Sequence, residues 1–138
     1  MKKSILFLIV SFFCQCQQRH NYTFSKENEK PILTELQKKI DIKGNFINIF
    51  FESYFDNEKV SLQCDSKEVF NKIITTDHTI NLADYYLQKS NCEELTANIG
   101  SQKILLKKKD IEMYKYLYVS KKKNTVNLVL SNTPRTYY

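Results

Sequence analysis

The chain has 138 residues, 42% hydrophobic and 26% charged, with nine Phe and nine Tyr but only two Gly and two Pro. That length holds one modest domain, and so little Gly and Pro marks no linker or low-complexity segment. A formal charge of +6 is too small and too dispersed for a nucleic-acid binder, and Gly44 and Gly100 alone make neither a Gly-rich phosphate loop nor a nucleophile elbow.

The chain opens with Lys2 and Lys3, then an apolar run over 5–13 broken only by Ser11. A bilayer core about 30 Å thick takes roughly 20 apolar residues to span. This run is shorter and has the flanks of a secretory h-region, so residues 1–16 are read as a signal peptide. The segment closes on Cys14, preceded by Ser11-Phe12-Phe13, and Cys16, preceded by Phe13-Cys14-Gln15. On these residues the leader resembles bacterial lipoprotein precursors, in which the cysteine after a short signal peptide is acylated and becomes the first mature residue. The bulky Phe13 before Cys14 departs from that pattern more than Gln15 before Cys16 does, so the resemblance implies lipidation at Cys16. Two readings stay beside it: lipidation at Cys14, and ordinary cleavage after Cys16, since Cys14 and Cys16 are small and stand at A-x-A-like spacing. The expected location is outside the cytoplasm, anchored in the periplasm or outer membrane, or secreted.

Residues 17–30 are polar and lack core-forming runs, which suits a flexible tether. The folded domain is placed at 31–138. Within it, Ile32, Leu33, Leu36 and Ile40 fall at helical spacing behind Pro31, which predicts a short helix over 31–40. Beyond Gly44 the pattern turns to period two. Ile47, Ile49, Phe51 and Phe55 share one face, with Asn48, Glu52 and Tyr54 on the other. Val60, Leu62 and Cys64 form the next strand, Val69 to Ile74 another, and Asp56-Asn57-Glu58 and Asp65-Ser66-Lys67 turn between them. The stretch after Ile80 is ambiguous between strand and helical turn. Leu95, Ala97 and Ile99 alternate again, and strands follow over 103–107, 114–120 and 125–131.

About seven or eight short strands at this spacing predict an all-β fold, mainly an antiparallel sandwich with one short leading helix. Without helical crossovers or continuous apolar runs, a parallel sheet is disfavoured. The rhythm of VFNKIITTDHTINLA (69–83) resembles immunoglobulin-like and prealbumin-like extracellular modules, and no functional residue is transferred from them.

Cys64 and Cys92 are the cysteines of the mature part. Export makes a disulfide between them reasonable, and two buried thiols are the alternative. No C-x-x-C occurs and the histidines are His20 and His78, so neither a metal site nor a cofactor is expected. Tyr114, Tyr116 and Tyr118 would share one strand face with same-face spacing of roughly 6.6–6.8 Å, a ligand-binding row for a glycan or peptide. The competing reading is that the row covers the sheet by cross-strand packing. Lys107-Lys108-Lys109 and Lys121-Lys122-Lys123 would fall at opposite ends of a three-strand meander, as solvated turn residues. Glu93-Glu94 is read as the charged start of a strand, and the segment 133–138 as a frayed tail or last edge strand. The chain is thus expected to act by binding an envelope protein or a glycan, without catalysis, with an inhibitor or immunity role as one variant. Rival readings are a small envelope hydrolase using Asp77 and His78, and a purely structural envelope protein.

Overall fold

A computed structural model describes residues 22–27, 46–89 and 91–137. The leader with Cys14 and Cys16, and the helix expected over 31–40, lie outside the described residues. The strands are β1 (Tyr22–Lys26), β2 (Phe46–Phe51), β3 (Glu58–Cys64), β4 (Lys67–Ile74) and β5 (Asp84–Lys89), then β6 (Glu94–Ile99), β7 (Gln102–Lys107), β8 (Tyr116–Lys122) and β9 (Thr125–Ser131). One four-residue helix, α1 (Lys108–Ile111), separates β7 from β8. The ambiguous stretch after Ile80 supplies β5.

The strands form two sheets, one ordered β1-β9-β8-β2-β5 and the other β4-β3-β6-β7. This is the all-β sandwich that the strand rhythm predicts. Period-two alternation points Ile47, Ile49 and Phe51 of β2, Leu117 and Val119 of β8, and Val126, Leu128 and Leu130 of β9 inward from the first sheet. Val60, Leu62, Phe70, Leu95, Ala97, Ile99, Ile104 and Leu106 meet them from the second, all buried. Aromatic packing anchors the middle: Phe51 stacks on Phe70 at 5.4 Å and meets the edge of Phe55 at 5.9 Å.

Five of the seven ladders among the described residues are antiparallel. The other two, β1–β9 and β2–β8, are parallel, so the sandwich is mainly antiparallel, as the strand rhythm predicts. The parallel β2–β8 pair needs no long helical crossover, because the chain between them runs through β3 and β4, back to β5, and then through β6 and β7 of the opposite sheet. The same route dissolves the expected meander, because β7 belongs to the four-stranded sheet while β8 and β9 belong to the other. A further correction concerns 22–26. Read as tether, these residues form β1, in register with β9 from Tyr22↔Val126 to Lys26↔Leu130. Tyr22 and Phe24 stand opposite core residues there, a weak apolar alternation that the polar surroundings hide.

Two-residue turns close the hairpins. Asp65 (φ 48°) and Ser66 (φ 69°) are both left-handed, as a tight β3–β4 hairpin requires. Gly100 (φ 57°) turns β6 into β7, where an added Cβ would run into the Glu58 carboxylate. Cys64 and Cys92 are bonded with Cα atoms 5.3 Å apart. The bridge ties the end of β3 to the β5–β6 connection, two residues before β6, its neighbour in the same sheet. Lys72 Nζ and Asp84 Oδ2, 2.8 Å apart, link the edges β4 and β5 on the same side.

Candidate functional site

The face that distinguishes this sandwich is the outer side of the five-stranded sheet. Because Ile47, Ile49 and Phe51 point inward, their neighbours Asn48, Phe50 and Glu52 point out. Register then aligns side chains in rows across the strands. Tyr85 of β5 stands opposite Phe50 of β2, Phe50 opposite Tyr118 of β8, and Tyr118 opposite Val129 of β9. A second row runs Leu87, Asn48, Tyr116, Ser131.

Phe50 is the hub of the first row. Its ring centroid lies 6.2 Å from Tyr85, 6.4 Å from Tyr116, 5.7 Å from Tyr118 and 5.4 Å from Tyr137, with Tyr85 and Tyr137 stacked on it. Tyr116 and Tyr118 stack on each other at 5.9 Å. At the β5 side of the face Tyr85 is 63% exposed and Leu87 49%. An aromatic and an aliphatic side chain, one strand pleat apart, thus meet solvent beside a packed aromatic cluster.

The other half of the face is roofed by the chain's own C-terminal segment. Residues 133–137 neither fray nor pair as an edge strand; they fold back across β8 and β2, which corrects the expectation for this tail. The Tyr118 hydroxyl donates to Thr133 O at 2.8 Å and accepts from Arg135 N–H at 2.9 Å. The Arg135 guanidinium sits 4.1 Å from the Tyr118 ring centroid. Its Nη1 donates to Glu52 Oε2 at 2.7 Å, and the Tyr137 hydroxyl donates to Glu52 Oε1 at 2.7 Å. Both oxygens of one buried carboxylate are therefore held by the tail. Burial drives the Tyr118 phenol well above the ordinary tyrosine range. Burial and the adjacent Glu52 carboxylate do the same to Tyr137.

The expected tyrosine row is thus assembled differently. Tyr116 and Tyr118 do share the outer face, but Tyr118 is only 1% exposed, under the tail. Tyr114 precedes β8, packs against the core, and has the Lys26 ammonium 5.9 Å from its ring centroid. It is not on the face. β8 begins two residues later than expected, which removes Tyr114 from the alternation. Phe50, Tyr85, Glu52, Arg135 and Tyr137 take its place. An apolar Phe50 at an outward position of β2 was the available signal for them.

The remaining sequence features lie elsewhere. His78 is exposed in the turn between β4 and β5. The Asp77 carboxylate accepts the Thr79 N–H at 2.8 Å, and that bond holds its pKa down. Asp77 is thereby a turn former, with the Thr79 side chain bonded to it as well. Glu93 pairs with Lys108 at 2.9 Å, and the Glu94 N–H bonds Asp65 Oδ1 at 2.9 Å, as suits the start of β6. Lys108 and Lys109 sit in α1, whereas Lys121 and Lys122 end β8, one strand length away. No group of three or more His, Cys, Asp or Glu among the described residues could hold a metal ion.

At the sandwich end that carries the β6–β7 and β8–β9 turns, Glu58, Ser101, Gln102, Lys121 and Asn124 line an open groove of about 360 Å³ over Ile99 and Val126. Glu58 and Lys121 pair across it and neutralise each other's charge. Among the described residues, no helix is long and apolar enough to cross a membrane. Comparison with family models, with characterised proteins and with solved structures returns no match.

Proposed function

We propose that this chain is an exported, lipid-anchored β-sandwich that acts by binding a protein partner of the bacterial cell envelope. Its binding surface is the outer face of the five-stranded sheet. The observation that carries this reading is the Tyr85–Phe50–Tyr118 row, flanked by an exposed Leu87. Tyr presents a rigid apolar body with a polar tip, so it forms large contacts at low entropic cost. The stacking also favours protein over glycan. Tyr137 lies against Phe50 and Tyr116 against Tyr118, which leaves Tyr85 as the open ring of the row, a short platform for a sugar chain. An inhibitor that blocks a partner through an acidic loop gains no support: Glu58 is tied to Lys121, which leaves Asp56 as the exposed acid of that turn.

The reading is tested with a photo-crosslinking side chain placed at position 85 and, separately, at position 73 on the outer face of the opposite sheet. Ile73 is 66% exposed, so both probes meet solvent equally. Irradiated cells should yield a discrete envelope adduct from position 85 and none from position 73. Adducts from position 73 alone, or recovery of the protein in the cytosol, would overturn the proposal.

A further inference from the structure

The tail contacts have the chemistry of a ligand in its receptor. Glu52 is buried on the outer sheet face, where a carboxylate is costly unless its oxygens are bonded. The bonds come from Arg135 and Tyr137, two residues apart on an extended segment. Tyr118 supplies an aromatic plane for the guanidinium and a hydroxyl that bonds the segment's backbone in both directions, accepting from Arg135 N–H and donating to Thr133 O. Phe50 supplies the plane for the aromatic side chain. Charge, ring stacking and backbone recognition are all present.

The two sides of this contact differ in how firmly they are held. Tyr118 is fixed on β8, and Glu52, directly after β2, is held to β8 by its N–H bond to Val119 O at 2.8 Å; both are buried beneath the tail. Thr133, Pro134, Arg135 and Thr136 are exposed, and Tyr137 is half-buried. Segments with few buried contacts open locally at low free energy. A rigid, buried receptor is therefore covered by an exposed and extended occupant.

We infer that Glu52, Tyr118 and Phe50 form a receptor for an extended peptide segment bearing Arg-x-Tyr, which the chain's own tail fills until a partner presenting the same pair displaces it. The segment's features follow from the site: a guanidinium for the buried carboxylate and the Tyr118 ring, an aromatic phenol two residues on, and extended backbone between them. A Lys would supply the charge but not the planar contact with Tyr118. The exposed Tyr85 and Leu87 continue the surface beyond the tail, so a displacing partner has contacts there that the tail lacks. The tail competes as an intramolecular ligand at an effective concentration of order millimolar, which sets the threshold a partner has to exceed.

This inference rests on the outer face being the binding surface, and the two can fail separately. The probe is a dye-labelled peptide of residues 133–137, acetylated and amidated, read by fluorescence anisotropy. It is added to the wild-type chain and to the full chain carrying Arg135→Ala and Tyr137→Ala. The variant should bind it saturably and at least tenfold more tightly than wild type, and its melting temperature should rise with added peptide. Glu52→Gln in the variant, or Arg→Ala in the peptide, should each weaken binding about tenfold, as loss of a charged hydrogen bond implies. If the double variant does not fold, Tyr137→Phe alone serves, since it keeps the ring on Phe50 and frees one oxygen of Glu52. It too should bind the peptide more tightly than wild type. Equal affinity for wild type and variant, no binding to either, or no effect of Glu52→Gln overturns the inference. So does a concentration-dependent dimer formed by tail exchange, which would assign the face to a second copy. Crosslinks from position 85 that persist after such a failure would leave the binding surface standing without the peptide receptor.

Discussion

Replacing Cys64 and Cys92 together by Ser removes the disulfide that the described residues contain, and its cost follows from the loop that it closes. The two residues are 28 positions apart and enclose β4 and β5. Restricting a loop of that length in the unfolded chain is worth about 3.6 kcal/mol at 25 °C on the chain-entropy account. Ser keeps nearly the volume of Cys and can accept the bond that Gln88 Nε2 donates to Cys92 Sγ at 3.2 Å, so packing adds little. For a domain near 100 residues, that loss lowers the melting temperature by about 15–25 °C. Urea unfolding of the oxidised wild type, the same protein under a thiol-free reductant, and the double variant gives three free energies. The last two should agree with each other and fall below the first by the stated amount. A loss under about 1 kcal/mol would refute the loop argument. Two titratable thiols in the native oxidised protein would refute the pairing itself.

Four other outcomes follow from the structure. Tyr118 and Tyr137 keep their protons in the folded state, while unfolded phenols ionise near pH 10, so above that value the unfolded chain holds fewer protons. Stability should therefore fall as pH rises through about 10, with part of the 295-nm tyrosinate absorbance appearing only on unfolding; full ionisation without loss of stability would contradict this. Gly100→Ala should cost about 1–2 kcal/mol, since it sets a side chain at φ 57° against Glu58, and the cost should shrink in a Glu58→Ala background. Thr76 is buried, accepts from Phe55 N–H at 2.9 Å and donates to Glu52 O at 2.8 Å. Thr76→Val should accordingly lose about 1–3 kcal/mol in urea unfolding, and a neutral result would mean that water replaces both bonds. Radiolabelled palmitate should enter the wild-type precursor and not Cys16→Ala; undiminished labelling would move the anchor to another residue.

How much of this could be read from the chain depends on whether the signal is local. The core of β2, β3, β6 and β9 was legible because alternation is a property of neighbours: Ile47, Ile49 and Phe51 disclose their face without reference to anything distant. The pairing of Cys64 with Cys92 was one of two open readings, since only the fold decides which positions face each other. Which strand meets which is a long-range property, and there the reading failed. Nothing near Tyr22 announces β9, and nothing near Phe50 announces Tyr137. The tyrosine row shows the boundary well. Tyr116 and Tyr118 share a face as period two requires, yet a start shifted by two residues drops Tyr114, and a tail 15 or more residues away buries Tyr118. The binding face was half visible because its strands alternate. Its occupant was not, because Glu52 and Arg135 are 83 positions apart.

The parallel pairing of β1 with β9 has a consequence for how the molecule is made. Thr23 and Asn127, bonded side by side, are separated by 104 positions, and among the described strands β9 is the sole neighbour of β1 in the sheet. The first of the described strands has no place to go until the last of them has been synthesised. Contacts this remote in sequence form slowly, so the β1–β9 ladder is among the last parts of the sandwich to close.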